Sequence, residues 1–398
     1  MTDTAAPPLA FDPLDPVALT QALVRCPSVT PEEGGALDLL ARVLGAHGYR
    51  VERPVFAEAD TPPVENLYAR IGTQAPLFVI AGHSDVVPVG DAASWTRDPF
   101  GGEIIEGALF GRGACDMKGG LAAMIAGALL YRRDNPDAPG SIAFLVTGDE
   151  EGPAVNGTVK LLDWAHRRGE RFDHCLLGEP TNPATMSDMI KIGRRGSLTG
   201  ELLVKGKQGH VGYPHLADNP IRGMVRLLAA LDATPLDSGT AYFDPSNLEV
   251  TTVDVGNAAS NVVPAQARAV FNIRFNDIWT PETLEAELER RLREAAGNTV
   301  RYELICRPTN AVAFLTEPGP FVAMVADAVE AETGTRPVLS TTGGTSDARF
   351  IKSYCPVVEY GVVGQTMHQI DERVAVSDLI ALQRITERLL GRYFTEAG

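Results

Sequence analysis

The sequence predicts an α/β protein: a larger domain with a mixed, mostly parallel sheet flanked by helices, interrupted by a smaller α+β domain of split βαβ, ferredoxin-like pattern. Three observations carry this expectation. Short apolar runs at residues 76–81, 142–147 and 175–177 alternate with helical stretches at 120–133 and 155–168, the rhythm of βαβ units. From about residue 196 the order becomes strand, helix, strand, strand, helix, strand, closing near 306. Helix and strand patterns then resume, so the middle reads as an insertion. The expected division is 1–195 with 308–398 for the larger domain and 196–307 for the inserted one. A chain of 398 residues is long for one core, which suits two.

Taken in order, residues 1–16 are rich in Pro and Asp and read as a loose lead-in, and 16–25 as a short helix. Thr30-Pro31-Glu32-Glu33 reads as a helix start, with Thr as cap, Pro at the first helical position and Glu33 closing a capping box; glycine ends the helix at His47-Gly48. Strands follow at 66–71 and 76–81, the second running into Gly82-His83-Ser84-Asp85-Val86-Val87-Pro88. Residues 90–107 read as an ordered loop, and the Gly-rich turn at 110–119 leads into the helix at 120–133. The strand at 142–147 ends in Gly148-Asp149-Glu150-Glu151-Gly152, and that at 175–177 in Gly178-Glu179-Pro180-Thr181. Inside the insertion, 198–205 alternates as a half-exposed strand and 220–231 is an amphipathic helix. Strands are expected at 248–255, 262–275 and 300–306, with a helix from Thr280-Pro281-Glu282 to Ala296. A helix at 321–332, a Gly/Thr/Ser loop at 340–346, a strand at 356–360 and a helix from Ser377 complete the chain.

The net charge of −16 argues against a nucleic-acid partner but not against a small anionic substrate, because a pocket can differ in sign from the whole molecule. Hydrophobic content of 44% supplies a sizeable core. Five cysteines, an odd number without a C-x-x-C pair, point to a reducing compartment and not to a disulfide framework. No basic residue precedes Arg25 and no continuous apolar stretch opens the chain, so no secretory signal is expected. The longest apolar segment, 119–130, is too short to span a bilayer. The expectation is a cytoplasmic protein with no membrane partner.

Chemistry concentrates where strands end. His83, Glu150 with Glu151, and Glu179 each follow an apolar run, and ligands of open α/β sheets bind outside the carboxyl ends of strands. Asp116 lies in a Gly-rich turn before a helix, and His368 in a loop after a late strand. One Asp, several Glu and two His make a natural set for divalent metals such as zinc. Their wide separation fits a catalytic site at a sheet rim better than a structural zinc module, and five donors exceed the need of one tetrahedral ion. Two metals sharing a carboxylate is the economical count. Blander readings stand beside each residue. The acidic triplet could be a solvated turn, Asp116 a helix cap, and His83 beside Asp85 an ordinary loop histidine. Cys115 has no nucleophile signature around it, and Asp116 would repel the pyrophosphate that Gly111-Arg112-Gly113 hints at.

Together, Gly82 to Pro88, Gly111-Arg112-Gly113-Ala114-Cys115-Asp116-Met117-Lys118-Gly119, Gly148 to Gly152 and Gly178 to Thr181 resemble the co-catalytic dizinc peptidases and deacylases, the family that includes carboxypeptidase G and acetylornithine deacetylase. The resemblance covers nearly the whole chain. Lys191-Ile192-Gly193-Arg194-Arg195-Gly196-Ser197, residues 208–215 and residues 342–350 are most similar to the branch that removes a succinyl group. The resemblance implies two Zn2+ per subunit, with Co2+ as a substitute. Asp116 would bridge them, His83 and Glu179 completing one site and Glu151 and His368 the other. Asp85 would orient His83, and Glu150 would take a proton from the attacking water and return it to the departing amine. His210 would come from the partner subunit of a homodimer built through the inserted domain, to bind the oxyanion. Arg194 and Arg274 would hold substrate carboxylates, with hydrogen bonds from Tyr213, Asn261, Gly344 and Thr345. The implied reaction is hydrolysis of N-succinyl-L,L-2,6-diaminopimelate to succinate and L,L-2,6-diaminopimelate, a step toward lysine. Deacetylation of acetylornithine and aminoacyl-peptide cleavage are the alternatives within the family, and a non-catalytic metal-binding protein the alternative outside it. Gly364 departs from the asparagine that this branch often has four residues before His368.

Overall fold

The computed structural model describes residues 9–396, and it forms two compact units. The first eight residues of the expected lead-in lie outside the described residues. The first unit takes residues up to Ile192, Thr316–Ser340 and from Ser346 onward; the second takes Gly193–Leu315 with Thr341–Thr345.

The first unit is built on an eight-stranded mixed sheet. Its centre is four parallel neighbours in the order Ser141–Thr147, Leu77–His83, His174–Leu177 and Val357–Glu359. Antiparallel Leu67–Ile71 and Arg50–Glu52 extend one side; Met189–Lys191 and Val338–Ser340 extend the other. Every residue of Leu77–His83 and of Ser141–Thr147 is buried, the continuous apolar pattern expected when helices cover both faces. The helix Lys118–Asp134 is buried on nearly all sides and packs against Val376–Glu396 and Pro16–Val24. Gly127 makes that approach possible: a Cβ there would stand 2.5 Å from the Gln383 carbonyl oxygen.

Three expectations are corrected. The second helix starts at Ala36, not at Thr30, because residues 28–30 are committed elsewhere. Thr30 N–H donates to Val86 O (3.1 Å) and Val86 N–H to Ser28 O (2.9 Å), so this backbone is laid along the His83–Val86 loop and cannot turn into a helix. Residues 90–107 contain a short 3₁₀ turn, Ala92–Ser94, and the strand Glu103–Ile105, which pairs with Ala108–Phe110. The expected strand at 262–275 is two, Val262–Val263 and Gln266–Phe275, broken at Pro264, which has no N–H for a ladder.

The second unit has a four-stranded antiparallel sheet in the order Asn247–Asp254, Gln266–Phe275, Gly196–Lys205, Arg301–Cys306, the arrangement of a split βαβ fold. Alternate residues of Gly196–Lys205 are buried, and Leu198, Leu202 and Val204 meet Leu284, Leu288 and Leu292 of the helix Pro281–Ala296. Gly196 and Gly200 face Phe275 and Phe271 across the ladder, and the two rings lie where a Cβ would go. Thr280 caps that helix by a reciprocal pair with Thr283.

Because Leu202 is fully buried in this core, Leu202→Ala is expected to cost about 2–5 kcal/mol. Urea unfolding followed by tryptophan fluorescence, with Trp279 as reporter beside the same core, checks it; an unchanged midpoint would contradict the packing described.

Candidate active site

His83 closes the central strand Leu77–His83, and its ring is fixed from behind. Nδ1 lies 2.9 Å from the backbone oxygen of Asp85, which can only accept, so Nδ1 carries a proton and, in the neutral ring, Nε2 is left with a lone pair. Nε2 faces Asp116 Oδ1 at 3.3 Å. The other Asp116 oxygen, Oδ2, faces His368 Nε2, also at 3.3 Å, and His368 Nε2 is 2.9 Å from Glu151 Oε1. One carboxylate thus turns an oxygen to each of two imidazoles. Donor atoms of His83, Asp116 and Glu151 lie within 4.8 Å of one another, and so do those of His83, Glu150 and Glu179. The structure therefore gathers all six residues, His83, Asp116, Glu150, Glu151, Glu179 and His368, at one rim. His368 stands at φ +61°, a left-handed conformation costing a non-glycine residue about 1–3 kcal/mol, which its loop holds.

Asp85 is divided between two tasks. Its carbonyl orients His83, while its carboxylate stands 3.6 Å from Nδ1 and accepts instead from the N–H groups of Glu150 (3.3 Å) and Glu151 (3.1 Å). It sets the turn that presents both glutamates. Asp149, for which the sequence offers no role, is buried and accepts from the N–H groups of Ala154, Val155 and Asn156 at 2.8–3.2 Å. It shapes the loop that follows the triplet.

The electrostatics state what this cluster lacks. Burial works against a charge on His83, yet the Asp116 hydrogen bond and the fields of Glu179, Glu150 and Asp85 hold its pKa well above the imidazole range. Hydrogen bonds to Asp116 and Glu151 raise His368 to about 10. Burial pushes Asp85 up to about 6, and burial with Glu179 pushes Glu150 well above the carboxylate range. Carboxylates crowded around two imidazoles, drawing protons onto both, form a site that calls for positive charge. A set of imidazole nitrogens and carboxylate oxygens with one carboxylate between two histidines fits a pair of divalent cations.

Glu372 and Arg112 escaped the sequence reading. Both are buried and form an ion pair at 2.7 Å. Glu372 Oε1 accepts from the N–H groups of Cys115 and Asp116, each at 3.1 Å. Arg112 donates to Gln369 O (3.2 Å) and Pro88 O (3.4 Å), and Trp95 lies over it with its ring centre 5.2 Å from the guanidinium carbon. One ion pair ties together the loops that carry His83, Asp116 and His368. A neutral glutamic acid at 372 would bond to none of them so well, and burial already raises its pKa against the pull of Arg112. The only sequence signal was two charged residues beside glycine-rich and histidine-bearing loops.

The remaining predicted residues belong to the inserted unit. Arg194 Nη1 donates to Gly344 O (3.3 Å). Arg274 and Thr345 line one cavity. His210 and Tyr213 have ring centres 5.6 Å apart, and Val211 N–H donates to Asn261 O (3.1 Å). His210 Nδ1 accepts from Gly212 N–H (2.9 Å), so a neutral ring carries its proton on Nε2. His210, Tyr213 and Asn261 are all exposed. In the first unit, a Cβ at Gly364 would stand 2.8 Å from Met367 Cε and 3.1 Å from Pro180 Cβ. A side chain there would need the flexible end of Met367 to swing aside and Pro180 to give by a few tenths of an ångström.

The profile of peptidase family M20/M25/M40 matches residues 79–392. A succinyl-diaminopimelate desuccinylase of Methylobacterium nodulans is 69% identical over 380 residues, covering 95% of this chain and 96% of that protein. Among solved structures, aminopeptidase PepT from Bacillus cereus superposes with a TM-score of 0.76 at 18% identity, over 95% of this chain and 98% of that one. A dinuclear metal-binding peptidase from Bacillus subtilis gives 0.68 at 16% identity, over 96% and 97%.

Replacing a group that holds a metal ligand from behind typically costs 10–100-fold in metal affinity. Glu372→Gln is accordingly expected to weaken retention of an added divalent cation by about 10–100-fold, read by competition with a chromophoric chelator. Unchanged retention would mean that the Arg112–Glu372 pair does not position Asp116.

Proposed function

The chain belongs to peptidase family M20/M25/M40, and on that footing we propose that it is an amidohydrolase with two zinc ions per subunit that cleaves N-succinyl-L,L-2,6-diaminopimelate to succinate and L,L-2,6-diaminopimelate. The observation that carries the metal-centred part is the shared carboxylate, Asp116, with one oxygen 3.3 Å from His83 and the other 3.3 Å from His368. The substrate rests on the likeness to relatives named for that reaction. In this reading His83 and Glu179 hold one ion, Glu151 and His368 the other, and Asp116 both. Co2+, with similar ligand preferences, would serve in place of zinc.

When bound, the ions lower the pKa of water and polarise the amide carbonyl. Glu150 is the base. Its carboxylate lies within 4.8 Å of the donor atoms of His83 and Glu179, and burial with the neighbouring Glu179 holds its pKa up, which suits a group that must take a proton from water and then give it back. Asp85 keeps Glu150 and Glu151 in register by bonding both their N–H groups. The proton on Glu150 passes to the departing amine, so the C–N bond breaks toward a neutral leaving group. His210 Nε2–H is the donor for the oxyanion, its tautomer set by the Gly212 N–H. Arg194, Arg274, Tyr213, Asn261, Gly344 and Thr345 bind the substrate's carboxylates and polar groups.

We propose a homodimer joined through the inserted unit. The strand Asn247–Asp254 is an edge with Val250 40% and Val253 54% exposed, a ready template for a second copy. The exposure of His210 and Tyr213 suits residues that serve the other subunit's site. No helix among the described residues is long and apolar enough to cross a membrane. A cytoplasmic location and the absence of nucleic-acid partners agree with the five free cysteines and the charge of −16.

Three measurements test the reading. Protein prepared without chelator is expected to carry close to two zinc per chain and to prefer succinyl-diaminopimelate over acetylornithine side by side; the opposite preference would replace the substrate assignment. Glu150→Gln should keep both ions and lose about 10²–10⁴-fold in kcat, the usual worth of a general base. Loss of the metals in that variant would make Glu150 a ligand instead.

A further inference from the structure

The inserted unit contains a cavity of about 300 Å³ lined by Ser197, Thr199, Arg274, Arg307, Thr309 and Thr345. Arg274 lies on the strand Gln266–Phe275 directly across from Ser197. Arg307 follows the strand Arg301–Cys306 on the other side, its backbone N–H donating to Thr199 O at 2.9 Å. No carboxylate lines the cavity. In a chain of net charge −16, neither guanidinium makes an ion pair or a side-chain hydrogen bond among the described residues. The acid that feels the field of Arg307, Glu201, is already paired with Arg268.

The hydroxyls are set the same way. Asn272 Nδ2 donates to Ser197 Oγ (3.2 Å) and to Thr199 Oγ1 (3.0 Å), and Ala311 N–H donates to Thr309 Oγ1 (3.0 Å). Each of these oxygens accepts an N–H group through one of its two lone pairs, and its single O–H remains available to give to a ligand. The cavity thus joins two unpaired guanidiniums to hydroxyls with an O–H to give, the complement of an anion that accepts through two oxygens.

We propose that Arg307 is a second cation beside Arg274 in this carboxylate-binding cavity and a specificity-determining residue of it. The proposal rests on the reaction proposed above. The occupant is a substrate carboxylate remote from the scissile amide, which is either the end of the succinyl group or the far end of the diaminopimelate half.

Arg307 is exposed and its side chain unpaired, so Arg307→Met should leave the fold intact. A hydrogen bond to a charged group is worth roughly tenfold or more in binding. With succinyl-diaminopimelate, Arg307→Met is expected to raise KM at least tenfold with kcat within about twofold, and Arg307→Lys to recover part of the loss. N-succinyl-L-lysine lacks the distal carboxylate and N-acetyl-diaminopimelate lacks the succinyl one. The analogue missing the bound carboxylate should show no change in KM on mutation, and the other should keep the full effect. A KM that stays within twofold for the parent substrate, or that rises equally for both analogues, would overturn the proposal. Should the unmutated protein fail to hydrolyse succinyl-diaminopimelate, the functional reading falls, and calorimetry decides the subsite separately. L,L-diaminopimelate or succinate should then bind at least tenfold more weakly to Arg307→Met, and equal binding of both would refute the subsite.

Discussion

Mutual repulsion among buried carboxylates is the constraint around which the larger unit is organised. Asp85, Asp116, Glu150, Glu151 and Glu179 converge at one rim of the parallel strands, where burial works against the charges of Asp85, Asp116 and Glu150. The protein meets this repulsion with groups arranged around the carboxylates. It aims the carboxylates at two imidazoles and supports them from outside with backbone N–H groups and one arginine. The acidic triplet shows the economy of the solution. Asp149 turns away to hold the N–H groups of residues 154–156, Glu150 stands beside Glu179, and Glu151 reaches His368. Three adjacent carboxyl groups meet three different environments because the strand ends at Thr147 and the backbone turns under them.

Much of this was legible in the sequence. Continuous apolar runs identified the central strands, and acidic or histidine residues directly after them identified the rim. The split βαβ order and the capping threonine at 280 were also readable. What escaped was information that no local pattern carries. Thr30-Pro31 has the composition of a helix start, but its backbone is bonded to Val86, more than fifty residues on, and tertiary hydrogen bonding outweighs a local cap. Arg112 and Glu372 lie far apart in the chain, and neither sits in a periodic element, so their pairing was invisible. Asp85 was expected to orient His83; it is the backbone oxygen that makes the hydrogen bond, with the carboxylate at 3.6 Å, a distinction that residue identity cannot make.

The inserted unit divides its sheet between two purposes. One face is filled by Leu198, Leu202, Phe271 and Phe275 against the helices. The opposite face carries Ser197, Thr199, Asn272 and Arg274, polar residues at the alternate positions of the same strands. A strand period of two is enough to build core and binding surface from one ladder. Arg194, Arg274 and Thr345 were readable as binding candidates only through family likeness. The amide of Asn272, which dictates what its neighbouring hydroxyls can do, had no such signal.

The Arg112–Glu372 pair has a further consequence for how the centre is loaded. In many small metal sites the ion itself folds the loops that bind it, so that uptake is coupled to ordering. Here three of the binding loops are already tied to one another by protein groups. Arrival of ions in such a frame is a docking step on a rigid template, burying little new apolar surface. Its heat-capacity change would be small, and its speed would be governed by ion dehydration and diffusion and not by chain rearrangement.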